Sequence, residues 1–99
     1  MKEIEYIRYK ISKERQKQFE LAYERAEKAL RTSAHCLNYD LSHCVKKPEH
    51  YILRIEWDSL EGHMKGFRSP EFQVFYGAAK PFFNDIEEMQ HYELTHIKK

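Results

Sequence analysis

The stretch from Trp57 to Phe83, WDSLEGHMKGFRSPEFQVFYGAAKPFF, constrains the fold of this chain more than any other. It reads as a strand end, a short helix, a breaker and a longer helix. Asp58 followed by Glu61 has the pattern of a capping box, so a helix is expected to open there. Leu60, His63, Met64 and Phe67 recur at spacings of three and four residues, one stripe expected to face inward. Gly66 and Arg68 mark its end. Ser69-Pro70 restarts a helix, with serine as the cap and proline at the first helical position. Phe72, Phe75, Tyr76, Ala79 and Phe83 continue the inward stripe, until Pro81, which has no N–H to donate to residue 77, kinks or ends it. Such a helix pair needs a sheet to lie across, and the hollow between them is the place to look for chemistry.

The other segments supply that sheet. Residues 50–57, HYILRIEW, alternate most cleanly, with Tyr51, Leu53, Ile55 and Trp57 on one face and Ile52, Arg54 and Glu56 on the other. Residues 3–11 alternate too, with Ile7, Tyr9 and Ile11 on one face and Ile4, Tyr6, Arg8 and Lys10 on the other. Ser12 is expected to cap a helix over residues 13–31, whose Phe19, Ala22, Tyr23, Ala26, Ala29 and Leu30 form a single apolar stripe. Glu24 and Lys28 are spaced for a pair on its wet side. Residues 33–45 give a second strand, with Leu37, Tyr39 and Leu41 opposite Cys36, Asn38 and Asp40. Pro48 places 46–49 in a turn, and residues 87–97 form a last strand of mixed character. Strand, helix, strand, strand, helix pair, strand is the order of an α+β, ferredoxin-like split βαβ domain (βαββααβ). It has a four-stranded antiparallel sheet with helices on one face. Residues 1–99 make one domain, since two halves of about fifty residues would each bury almost no core. The uncovered face keeps Tyr, Ile and Leu among its charges, so a homodimer is expected to cover it.

Seventeen basic and sixteen acidic residues are spread evenly, and without a basic stripe nucleic acid is not an expected partner. No run approaches the roughly 18 apolar residues of a membrane span. MKEIEYIRYK has no signal-peptide core, so a cytoplasmic location and two free cysteines are expected. His35-Cys36 and His43-Cys44 lie eight residues apart, roughly 26 Å on one strand, and no metal site is expected of them. His50, His91 and His96 are expected on or near the surface. Seven Tyr, six Phe and one Trp suit a binding cavity, a dimer interface or both.

From His50 to Glu93 the chain resembles the antibiotic biosynthesis monooxygenase family of dimeric α+β barrels. The resemblance rests on YILRIEW ending in Trp57, then DSLEGHMKGFRSPEF, KPFF and EEMQHYE, in that order and spacing. With the first strand and helix it covers essentially the whole chain. It implies two sheets packed into a barrel across a dimer, and a pocket between each sheet and its own helices. It also implies, for some members, oxidation of phenols or quinols to quinones by molecular oxygen without metal or flavin. That chemistry needs an electron-rich substrate, a group to take its proton, and a dry cavity. On this reading His63 is the proton acceptor. Trp57 and Tyr76 or Tyr9 are donors to a substrate oxygen, and Phe67, Phe72, Phe75 and Phe83 are walls. No cofactor is expected.

The haem-degrading branch carries Asn, Trp and His where this chain has Ile7, Gly66 and Tyr76, which disfavours that route. A Tyr76 phenolate would still offer haem iron a ligand. Each residue also has a purely structural reading: His63 bonded to a backbone carbonyl, Trp57 a plug, the phenylalanines core. The alternative to a monooxygenase acting on a small aromatic phenol or quinol is therefore a non-catalytic dimeric module. It would bind an aromatic ligand or haem beside a redox protein.

Overall fold

A computed structural model describes residues 2–99. Strands β1 (Glu3–Lys10), β2 (Cys36–His43), β3 (His50–Trp57) and β4 (Ile86–Glu93) form one antiparallel sheet in the order β2-β3-β1-β4. Helices α1 (Gln16–Thr32), α2 (Leu60–Phe67) and α3 (Phe72–Ala79) join them. This is the expected ferredoxin-like arrangement, with β1 and β3 in the centre and the connections between strands supplied by helices on one face.

Alternation fixes what each strand buries. Tyr51, Leu53, Ile55 and Trp57 of β3 all turn under the helices, as do Ile7 and Tyr9 of β1. The α1 stripe is buried as its spacing requires: Phe19, Ala22, Tyr23, Ala26, Ala29 and Leu30. Phe19 is the hub, its ring centroid 4.8–5.2 Å from those of Tyr9, Tyr23, Tyr51 and Phe82. Mixed edge-on and tilted packing of this kind adds to the area buried. The Tyr9 and Tyr23 hydroxyls bond to each other inside it. Burial pushes the Tyr9 phenol up to about 12 and Tyr23 well above its ordinary value, so both remain uncharged.

The ends of the helices differ from their sequence signals. Ser12 makes no side-chain cap, and a single tight turn over Lys13–Arg15 leads into α1 instead. The ion pair on α1 is Glu27–Arg31, not Glu24–Lys28. Ser59, one residue beyond Asp58, caps α2 by accepting from the Gly62 N–H at 2.9 Å. Ser69 bonds back to the Gly66 carbonyl rather than capping α3, which starts at Phe72. Pro81 does end the helix: α3 stops at Ala79, and Lys80–Asp85 forms a tighter turn. That tightening rotates the phenylalanines, so Phe82 is the buried one and Phe83 is half-buried. On β2 a register shift between Cys36 and Asn38 turns Leu37 outward, while Tyr39 and Leu41 stay against the core.

β4 is shorter than expected and also irregular. Arg8 of β1 faces Glu88 but Tyr9 faces Ile86, so β4 carries one extra residue at its start. The opposite face of the sheet presents Tyr6, Arg8, Ile52, Arg54 and Tyr92, with Tyr6 and Tyr92 edge-to-face at 5.5 Å.

Phe19→Ala removes the ring that four other rings pack around. It should lower the unfolding free energy in urea by about 3–5 kcal/mol. A midpoint close to wild type would mean the cluster closes over the gap.

Candidate functional site

The alternation that buries Ile7 and Tyr9 also buries Glu3 and Glu5, at 6% and 1% exposure. Pairing then decides their neighbours. Glu3 lies across from Trp57 on β3, and Glu5 from Ile55 on β3 and His91 on β4. Two carboxylates thus sit side by side on a buried strand face. Charged groups so placed require partners.

Helix α2 supplies one. Its approach to the sheet depends on two glycines. A Cβ on Gly62 would fall 1.8 Å from Asp58 Oδ1, and one on Gly66 3.0 Å from the Trp57 ring. Asp58 accepts from His35 Nδ1 at 2.9 Å, and chiefly that bond holds its carboxyl below the usual range, anchoring the start of α2. Close approach lays the His63 imidazole flat on the Trp57 indole, centroids 4.7 Å apart and planes 12° from parallel. Gly62, His63 and Gly66 are therefore the buried face of α2, while Leu60 and Met64 are 62% and 45% exposed. The inward stripe is rotated from the one expected, because two glycines, not two large side chains, meet the sheet.

The resulting cluster has four ionisable members. His63 Nδ1 donates to Glu3 Oε1 at 2.6 Å, and His91 Nδ1 donates to the same oxygen at 2.7 Å. His63 Nε2 lies 3.3 Å from Glu5 Oε1, and His91 Nε2 4.0 Å from Glu5 Oε2. Trp57 Nε1 donates to Glu5 Oε1 at 3.1 Å. The two imidazoles stack with centroids 5.0 Å apart. Among the described residues no lysine or arginine pairs with either carboxylate, and Glu3 Oε2, Glu5 Oε2 and His63 Nε2 are buried without a hydrogen-bond partner. Glu3, His63 and His91 each offer a donor atom within 4.8 Å of the others. His63 is thus bonded to a carboxylate, not to a backbone carbonyl. His91 reaches that same carboxylate, although its side chain is 42% exposed.

A cleft of about 380 Å³ opens beside the cluster, between α2 and β4, lined by Glu5, His63, Met64, Phe67, Met89 and His91 among others. A second, of about 480 Å³, reaches Glu3 and His91 from the strand ends. Of the residues expected at a site, His63, Trp57 and Phe67 come together here. Phe72 and Phe75 are buried in the core beneath α3. Tyr76 stands half-buried at the margin, its ring 5.5 Å from Phe67 and 6.1 Å from Phe83. Tyr9 does not join them; four residues beyond Glu5, about 13 Å along β1, it is bonded to Tyr23. The hollow expected beneath the helix pair is filled by rings; open space lies at the β4 edge and in a cleft of about 450 Å³ between α1 and β2. Glu3, Glu5 and His91 were not singled out by sequence reasoning. The signal was available for the carboxylates, since period two extends the Ile7–Tyr9–Ile11 face back to them.

The cysteines stand apart from this cluster. Cys36 is half-buried, its thiol pushed up to about 11 mainly by burial, and Cys44 is exposed.

An antiparallel β2-β3-β1-β4 sheet with helices over one face defines the class: a ferredoxin-like α+β domain. The chain belongs to the antibiotic biosynthesis monooxygenase family, whose model matches residues 4–78. It is 28% identical over 79 residues to the uncharacterized protein YczJ of Bacillus subtilis (strain 168), a match covering 79% of this chain and 83% of that one. Among solved structures it resembles a conserved protein from Methanosarcina mazei Go1, with TM-score 0.81, 13% identity, and 96% and 94% of the two chains covered. It also resembles a Deinococcus radiodurans protein classed with the antibiotic biosynthesis monooxygenases, with TM-score 0.79, 21% identity, and 98% and 96% covered. At those identities the likeness is one of fold. No helix among the described residues is long and apolar enough to cross a membrane.

Trp57→Phe keeps a plug beneath His63 but deletes the donor to Glu5. A buried bond to a charged group should then be lost, lowering stability by about 1–3 kcal/mol in urea. An unchanged midpoint would show that Glu5 does not depend on it.

Proposed function

We propose that the protein is a monooxygenase that converts a small aromatic phenol or quinol to a quinone with molecular oxygen, without a bound cofactor. The observation that carries the reading is the carboxylate–imidazole cluster beside an apolar cleft in a member of this family. A phenol ring in that cleft would lie between Phe67, Met64 and Met89. Its hydroxyl proton passes to the imidazole pair. His91, at the cleft mouth, exchanges it with water, and Glu3 links His91 to the buried His63. Glu3 and Glu5 face the ring nitrogens, where their charge would offset the one that an imidazole gains on taking the proton. The electron-rich ring carbon then bonds to oxygen, the O–O bond breaks, and the second oxygen atom leaves as water. Phenol plus O2 gives quinone plus water, so the substrate itself supplies all four electrons and no external reductant is required.

Tyr76, whose ring packs against Phe67 at the edge of the cleft, would donate to the product oxygen. Burial and, secondarily, the Glu5 charge raise its pKa, which favours a donor phenol and works against phenolate ligation of haem. We place the protein in a homodimer, packed through the sheet face bearing Tyr6, Ile52 and Tyr92, where a cleft of about 470 Å³ also exposes Leu94.

Oxygen consumption over a panel of hydroquinones and naphthols tests the reaction. Wild-type protein treated with chelator should consume oxygen. His63→Gln, which conserves volume but cannot accept a proton, should fall by about 10²–10⁴-fold, the usual contribution of a positioned acid–base group. Background consumption with every substrate would end the enzymatic reading. Sedimentation equilibrium at micromolar concentration should give twice the chain mass; a single-chain mass would contradict the dimer.

A further inference from the structure

We propose that Glu3, His63 and His91 form a binding site for one divalent transition-metal ion, with Glu5 as the carboxylate behind both imidazoles. The binding claim does not depend on the monooxygenase reading; only its consequence for catalysis does.

The donors have the right chemistry. Two imidazoles and one carboxylate suit zinc and its neighbours, which prefer nitrogen and carboxylate oxygen to the all-oxygen shells of calcium or magnesium. They come from three separate elements, β1, α2 and β4, so they converge on a point from different directions. The three donor atoms lie within 4.8 Å of one another. A tetrahedral ion with bonds of about 2.0–2.2 Å holds its ligands roughly 3.4 Å apart. Small side-chain rotations cover the difference, with the half-exposed His91 the freest to turn.

Each ring nitrogen of the two histidines faces a carboxylate. The Nδ1 atoms face Glu3 at 2.6 and 2.7 Å, and the Nε2 atoms face Glu5 at 3.3 and 4.0 Å. When an ion takes the Nδ1 lone pairs, the imidazole protons sit on Nε2, where Glu5 can receive them. A carboxylate behind a ligating histidine fixes its tautomer and strengthens it as a donor. Glu5 is itself held in place by the Trp57 N–H.

Charge and hydrogen bonding point the same way. Two buried carboxylates with no lysine or arginine paired to them among the described residues concentrate negative charge, which a divalent ion offsets. The cluster also holds three buried polar atoms without a partner: Glu3 Oε2, Glu5 Oε2 and His63 Nε2. Such atoms are costly unless something engages them. Glu3 Oε2 is free to be a ligand, and His63 Nε2 and Glu5 Oε2 are free to tighten behind the ion. The two clefts beside His91 give the ion a way in.

Metal and proton then compete for the same lone pairs. An ion on His63 and His91 removes the proton acceptor, so the loaded protein cannot deprotonate a phenol, and loading releases protons.

The test is titration of chelator-treated protein with Co2+ and Zn2+, followed by calorimetry and visible absorption. Wild type should take one ion per chain, with proton release and a raised melting temperature. His91→Ala leaves Glu3 bonded to His63 and truncates a half-exposed side chain. It should melt like metal-free wild type yet lose more affinity than the roughly 10–100-fold expected for Glu5→Gln. No saturable binding would overturn the proposal. So would wild-type affinity in His91→Ala, or a cobalt spectrum with thiolate bands, which would put the ion on Cys36 or Cys44. If the ion binds as expected while no hydroquinone consumes oxygen, the monooxygenase reading falls and the site stands. If oxygen is consumed and no ion binds, the reverse holds.

Discussion

Two carboxylates on the helix-facing side of a central strand set the terms for this end of the molecule. An isolated buried carboxylate costs several kcal/mol, and two neighbours of like charge cost more. Among the described residues no lysine or arginine reaches Glu3 or Glu5, so the compensation comes from an indole N–H and two imidazoles. The position of α2, the stacking of His63 on Trp57 and the inward reach of His91 all follow from that requirement. The other end of the same strand is an ordinary aromatic core built around Phe19. One eight-residue strand therefore joins the aromatic core at one end to the carboxylate–imidazole cluster at the other.

Legibility from the sequence divides along the same line. Regular periodicity gave element order, sheet architecture and the α1 stripe correctly, because burial of apolar area dominates there. It also brought His63, Trp57 and Phe67 into consideration. The cluster was harder to see because its members are far apart in sequence and join only through strand register. Glu3 and Glu5 look like surface residues by type, and only parity with Ile7 and Tyr9 says otherwise. His91 is exposed, as expected of a strand of mixed character, but nothing in that character says that its ring reaches Glu3. α2 misled for a different reason: hydrophobic spacing favours Leu60 and Met64, but closeness to Trp57 favours the glycines. The position of open space was not readable, since filling between rings depends on rotamers.

The sheet has two faces with distinct roles. One is covered by helices and carries the cluster. The other exposes Tyr6, Ile52 and Tyr92 around the Arg8–Glu88 and Arg54–Glu56 pairs.

The extra residue at the start of β4 has a bearing on all of this. In a regular strand, Ile86 would share a side with Glu88 and Gln90, while Met89 and His91 took the other. The irregularity opposite Arg8 and Tyr9 shifts the phase by one, so Ile86 can close the hydrophobic interior while His91, five positions on, still points toward Glu3. Drawn straight with Glu87 still in place, the strand would have to choose between sealing the core and completing the imidazole pair; excising Glu87 instead would leave Ile86, Met89 and His91 alternating on one side with no kink at all.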